Sequence, residues 1–237
     1  MVSTATTCLV AWVPLYWQLQ TKTKFAHKLL FSLLGLRKTG LLQALIQPTL
    51  LTASLFAGPL LQRALSGRSD ADSMAPLQIL RNLVLAPVTE EFCFRACMAP
   101  LFLLQGYSTK QTIFLTPIMF GVAHVHHMLE MVKFQGARLS SASAVVSFQF
   151  LYTTLFGWYA THVFLSTGHL AAAVAVHTFC NWMGFPPIGD VPSHPQRNAV
   201  LAAYLVGIVA FISLLPPCTE PAKYSCIYDQ LIADSML

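Results

Sequence analysis

Long apolar runs separated by short polar breaks organise this chain, and each run reads as a helix. Residues 5–19 are apolar and aromatic, with Trp12, Pro14, Tyr16 and Trp17. That is shorter than the roughly 20 residues a bilayer span needs, so an interfacial or short membrane segment is expected over 1–40. A basic stretch follows, with Lys22, Lys24, Lys28, Arg37 and Lys38 set around Phe25, Leu29, Leu33 and Leu36. Lys and Arg beside membrane segments favour the cytosolic side. Residues 41–61 are the first full-length apolar span, interrupted by Pro48 and Pro59, and 62–76 read as a polar loop. A helix is predicted over 77–104, with Pro87 expected to kink or restart it and to free backbone carbonyls. After a turn at Gly106–Lys110, helices are expected over 112–131, 144–165, 169–185 and 198–215.

Together these runs predict one all-α, polytopic transmembrane helical bundle of about six to seven membrane helices. We read 1–237 as a single domain, with its polar chemistry on the helices of 77–185 and a short tail at 218–237. Composition strengthens this. Of 237 residues, 55% are hydrophobic and only 10% charged, too apolar for an ordinary soluble domain. The net charge of +5 is spread as topogenic Lys and Arg, so nucleic-acid binding, which wants a clustered basic face, is not expected. The N-terminus lacks a basic leader region, so no cleaved signal peptide is expected. Cys8, Cys93, Cys97, Cys180, Cys218 and Cys226 lie mostly in apolar runs, no C-x-x-C occurs, and they read as small buried residues rather than disulfides or zinc ligands.

Against that background the charged run Glu90-Glu91-Phe92-Cys93-Phe94-Arg95 stands out. Desolvating a carboxylate costs several kcal/mol unless it is paired or neutralised, and ionisable residues inside membranes mark functional sites. Glu91 and Arg95 are i and i+4 and can pair. Glu90 points about 100° away around the helix and is left for chemistry. The bland alternative is one buried ion cluster that holds helices together.

Two further polar groups recur in apolar helices. Phe120 and His124 are i and i+4, with Gly121 leaving room for close approach, and His177 and Asn181 are likewise i and i+4. His126 and His127, with Glu130 a turn on, read as supporting residues, and His162 and His169 as residues of a helix junction. Hydrolysis would use the set: Glu90 and His124 could share and deprotonate a water, while His177 and Asn181 could donate to a developing oxyanion. There is no G-x-S-x-G or H-E-x-x-H. Zinc held by Glu90, His124 and His177 is also stereochemically open, since three such ligands plus water make a catalytic set.

The motifs E-E-x-x-x-R (Glu90 to Arg95), F-x-x-x-H (Phe120 to His124) and H-x-x-x-N (His177 to Asn181), in that order, resemble the type II CAAX prenyl endopeptidases, the Ras-converting enzyme family. The stretches Phe94-Arg95-Ala96-Cys97-Met98, Thr167-Gly168-His169-Leu170 and His194-Pro195-Gln196-Arg197 are similar to its eukaryotic form, and the resemblance covers roughly 33–217. It implies a multi-pass protease of the endoplasmic reticulum membrane with its catalytic cavity inside the bundle. The implied substrates are farnesylated or geranylgeranylated CAAX proteins, such as Ras-type small GTPases, cleaved after the prenyl-cysteine to release the AAX tripeptide. Glu90 and His124 would activate water, His177 and Asn181 would form the oxyanion hole, and Glu91, Arg95 and Phe120 would give structural support. The family resemblance implies a metal-independent glutamate-type hydrolase, with no cofactor and no nucleic-acid partner. A non-catalytic membrane scaffold or chaperone on the same frame is the competing reading. The chain before Glu90 is shorter than the resemblance leads one to expect, which points to a missing or reduced N-terminal helix.

Overall fold

The computed structural model describes residues 2–24, 26–66, 75–123 and 126–228, and among them every regular element is helical. The chain begins with α1 (Val2–Ala11) and α2 (Val13–Lys22), then α3 (Ala26–Leu33). Leu15 and Leu19 of α2 are fully buried and cluster with Leu30, Leu33, Ala96 and Phe164. The N-terminal segment is therefore part of the core rather than a cover lying on it. Its apolar positions at i and i+4 form one helical stripe, and its parallel course beside the Glu90 helix is pinned by Lys22 Nζ, which donates to the Leu104 carbonyl at 2.7 Å.

Next come α4 (Leu41–Leu55) and α5 (Ala57–Ser66), bent by 72° with respect to each other. Pro59 has no N–H for the Leu55 carbonyl, and the helix breaks at Phe56, whose own N–H reaches both Thr52 and Ala53 carbonyls. Pro48 stays inside α4 without breaking it. Residues 62–66, expected in a polar loop, belong instead to α5, which runs to Ser66 with Gln62 buried and accepting from the Tyr204 hydroxyl at 2.8 Å.

Residues 76–104 form one continuous helical run, α6. It alternates α-helix with two π-helical stretches, Arg81–Leu85 and Phe92–Met98, and its junction residues Arg81, Ala86, Phe92 and Ala99 all keep right-handed helical dihedrals. Then follow α7 (Thr109–Ala123), α8 (His126–Phe134), α9 (Leu139–Thr167), α10 (Leu170–Met183) and α11 (Arg197–Cys218). By length and apolarity α9 and α11 can each cross a bilayer, and the bent α4–α5 pair passes as a third span, among the described residues. Helix α11 turns Leu205, Val206, Val209 and Ile212 outward. A patch of this kind belongs against lipid rather than water. The fold is an all-α, polytopic membrane bundle.

Small residues set how closely the helices around α6 approach. A Cβ on Gly157 of α9 would lie 2.6 Å from Pro117 of α7 and 3.1 Å from Arg95 Nη2. One on Gly121 would lie 2.6 Å from Thr154 Oγ1, and one on Gly207 would run into the Ser54 carbonyl at the α4–α5 bend. Glycine contacts of this type replace the hydrophobic drive that is missing between helices in lipid. Gly157→Val is expected to lower stability by about 1–3 kcal/mol through overpacking, seen as a lower Tm in detergent micelles. Gly189→Ala, where a Cβ would meet open space, should leave Tm unchanged. Equal melting of both variants would refute the close approach at Gly157.

Candidate active site

The site starts with the backbone of α6. In the π-helical stretch before Pro87, the Ala86 N–H reaches back five residues to the Arg81 carbonyl. The next residue is proline and offers no N–H. The Leu83 carbonyl loses its α-pattern donor and the Asn82 carbonyl its π-pattern donor. Helix α10 supplies both replacements: Thr178 Oγ1 donates to the Leu83 carbonyl and Asn181 Nδ2 to the Asn82 carbonyl, each at 2.9 Å. The carbonyls expected to be freed by Pro87 are therefore met by a neighbouring helix, and the widened turn stays helical instead of kinking sharply. Those two bonds clamp α10 to α6 in one register.

That register brings His177 against the acids. Its Nδ1 donates to Glu91 Oε1 at 2.7 Å, and its Nε2 lies 3.9 Å from Glu90 Oε2. Arg95 Nη1 donates to the same Glu91 oxygen at 3.1 Å. Glu91 and Arg95 are 0% and 1% exposed, so this is a buried pair. Its geometry is a single N–H···O contact rather than a bidentate fork. Glu91 Oε2 and Arg95 Nη2 are buried without a hydrogen bond among the described residues. The Arg95 guanidinium sits 4.7 Å over the Phe120 ring and 5.7 Å from that of Phe156, a cation–π cradle that suits a weakly hydrated charge. Phe156 also packs 4.8 Å from the His177 ring.

Glu90, on the adjoining face, is half-buried and heads a cavity of about 320 Å³ between α1 and α6. Its position and that of the buried Glu91 separate the two carboxylates by environment. Because a carboxylate takes the Nδ1 proton of His177, the Nε2 atom donates only when the ring is protonated. An amide nitrogen carries two hydrogens, so the bond from Asn181 to the Asn82 carbonyl uses one of them.

His124 lies outside the described residues, as do the side chains of His126 and His127. Phe120, expected over the His124 imidazole, is buried beneath Arg95 and meets Phe94 edge-on at 4.9 Å. His162 bonds Thr219 Oγ1 at 3.0 Å and His169 the Thr39 carbonyl at 2.8 Å, both at the junction by the C-terminal tail and away from the acids. Of the open zinc set, Glu90 and His177 are adjacent. Among the described residues no group of three His, Cys, Asp or Glu side chains is placed to hold a metal.

Sequence reasoning did not foresee the Glu91–His177 bond, which joins residues 86 positions apart. Nor did it single out Thr178, whose hydroxyl sits on the helix face shared with Asn181. The signal for Thr178 was available in outline: a proline in α6 demands outside donors, and a Thr three residues before an Asn can supply one of them.

Residues 72–183 match the family described as Type II CAAX prenyl endopeptidase Rce1-like. A human relative, CAAX prenyl protease 2, is 40% identical over 212 residues, covering 84% of this chain and 64% of its own length. The Arabidopsis thaliana protein of the same name is 36% identical over 216 residues, 81% of this chain and 68% of its own length. A probable CAAX prenyl protease 2 of Schizosaccharomyces pombe is 40% identical over 133 residues, 55% of this chain and 49% of its own length. No solved structure matches the chain. The chain belongs to the type II CAAX prenyl endopeptidase Rce1-like family, and it spans less than two thirds of the length of the human relative.

The clamp at Pro87 can be tested by a double-mutant cycle. Thr178→Val should cost about 1–2 kcal/mol by leaving the Leu83 carbonyl unpaired. In a Pro87→Ala background a backbone N–H becomes available to that carbonyl, and the cost should shrink by about 1 kcal/mol. Unfolding of the four proteins in detergent measures the coupling, and strict additivity would rule out the proposed exchange of donors.

Proposed function

We propose that this chain is an intramembrane endopeptidase that cleaves farnesylated or geranylgeranylated CAAX proteins after the prenyl-cysteine and releases the AAX tripeptide. The observation that carries the proposal is the approach of Glu90 Oε2 to His177 Nε2, with the other ring nitrogen held by a fully buried acid. This arrangement sits in a chain of the family described above.

The roles follow from the chemistry of each group. Glu90 and His124 take the proton of a water that attacks the scissile carbonyl. His177, steadied by Glu91, and the amide of Asn181 donate to the oxyanion as it forms. Asn181 gives one N–H to the clamp with α6 and keeps its second for the substrate. Arg95 and Phe120 act by holding Glu91 in place. The acid, base and donor set comes from side chains, and the reaction is proposed to need no metal. The substrate arrives in the bilayer on its own prenyl anchor, and the endoplasmic reticulum membrane is the proposed location.

Membranes carrying this chain should release the tripeptide from a farnesylated CAAX peptide. Glu90→Gln should lower kcat by about a hundredfold or more, with expression and Tm retained. Asn181→Ala should cost about a hundredfold in kcat. Full activity in Glu90→Gln would sink its role. A tight zinc chelator should leave activity unchanged. Loss with the chelator, reversed by added zinc, would establish the metal alternative at Glu90, His124 and His177.

A further inference from the structure

The cavity headed by Glu90 has a shape and lining that the reaction chemistry alone does not explain. Glu90 stands at one end. From there the walls are apolar: Phe94, Cys97, Met98 and Leu101 on one face of α6, and Ala11 on α1. Residues 90, 94, 97 and 101 follow helical spacing, so they form one stripe. Along α6, the rise from Glu90 to Leu101 is about 16 Å. At the far end Leu101 and Ala11 pack against the core cluster that includes Leu15 and Leu19. The space is therefore an apolar slot along α6 with the Glu90 carboxylate at its head and Leu101 at its far end.

We infer that this slot between α1 and α6 is the site for the isoprenoid chain of the substrate, and that Ala11, Met98 and Leu101 set the chain length it accepts. The inference rests on the endopeptidase reading and extends it to specificity. In a substrate cleaved after its prenyl-cysteine, the thioether and the scissile carbonyl belong to the same residue. A chain that fills the slot with its thioether at the head holds that carbonyl beside Glu90. The peptide tail then leaves in the other direction, past His177 and Asn181. Burying the chain contributes roughly 0.8 kcal/mol per methylene, enough to anchor the cysteine while the peptide end stays exchangeable. The sulfur-bearing side chains Met98, Cys97 and Cys93 give a polarizable, adaptable wall that suits a branched chain. The carboxylate at the head distinguishes this occupant from an ordinary bilayer acyl chain, whose ester and phosphate would gain nothing from meeting it.

The test compares two peptides that are identical except for a farnesyl or a geranylgeranyl group, with tripeptide release as the readout. Ala11→Trp and Met98→Trp, which shorten the slot, should each lower kcat/KM for the geranylgeranylated peptide about tenfold or more relative to the farnesylated one. Leu101→Ala, which deepens the floor, should move the same ratio the other way. The opposite signs separate a length ruler from general damage to the fold. A farnesylated peptide with a photoreactive group on its prenyl chain needs no turnover, and should label α1 or residues 94–101. An unchanged ratio in all three variants with Glu90-dependent release intact, or labelling elsewhere, would overturn the inference and leave the slot to a bilayer acyl chain. Absence of release from the unmodified chain together with labelling of residues 94–101 would instead support the slot and count against the endopeptidase reading.

Discussion

One buried carboxylate oxygen, Oε1 of Glu91, holds the centre of this molecule together. It accepts from Arg95 on its own helix and from His177 on α10. Removing Arg95 would break a buried ion pair, at a cost of about 3–5 kcal/mol. Everything near it serves to keep those three groups at contact distance. Phe120 and Phe156 form the aromatic cradle for the guanidinium, and Gly157 leaves the space into which Arg95 reaches. The clamp from Thr178 and Asn181 to α6 fixes the rotation and height of α10 so that the His177 ring arrives in register.

The two adjacent acids thus occupy different environments without any difference in chemistry between them. Glu91 faces inward to Arg95 and His177 and is fully buried. Glu90, 100° around the helix, faces a cavity on one side and the far nitrogen of the same histidine on the other. Chemistry and support are divided by helical phase. A π-helical turn on each side of the pair adjusts that phase locally, which is a common use of such turns at functional sites.

Much of this was legible in the chain itself. Apolar periodicity marked the helices, and the i, i+4 spacing of Glu91 and Arg95 anticipated their contact. Pro87 signalled freed carbonyls, and the three ordered motifs named the family. What was not legible depended on how distant segments pack. Residues 5–19 read as too short for a full span and as interfacial, yet Leu15 and Leu19 are core, because their partners Leu30, Ala96 and Phe164 come from other helices. The bend at Phe56 was read as an interruption within one span. Its depth is set by Tyr204 and Gly207 of α11 lying in the elbow, which no local pattern encodes. The bond from Glu91 to His177 has the same origin: each residue had a plausible local partner four positions away, and only the α6–α10 register joins the two pairs.

The placement of the first two helices has a consequence for how the chain is made. Lys22 and the Leu104 carbonyl it caps are separated by 82 positions. At synthesis rates of roughly 5–20 residues per second, α2 waits several seconds in the membrane before the surface it packs against has been synthesised. During that interval Leu15 and Leu19 have only nearby partners such as Leu30 and Leu33 of α3. Formation of the α2–α3 pair and its docking on the end of α6 are therefore separate events in time.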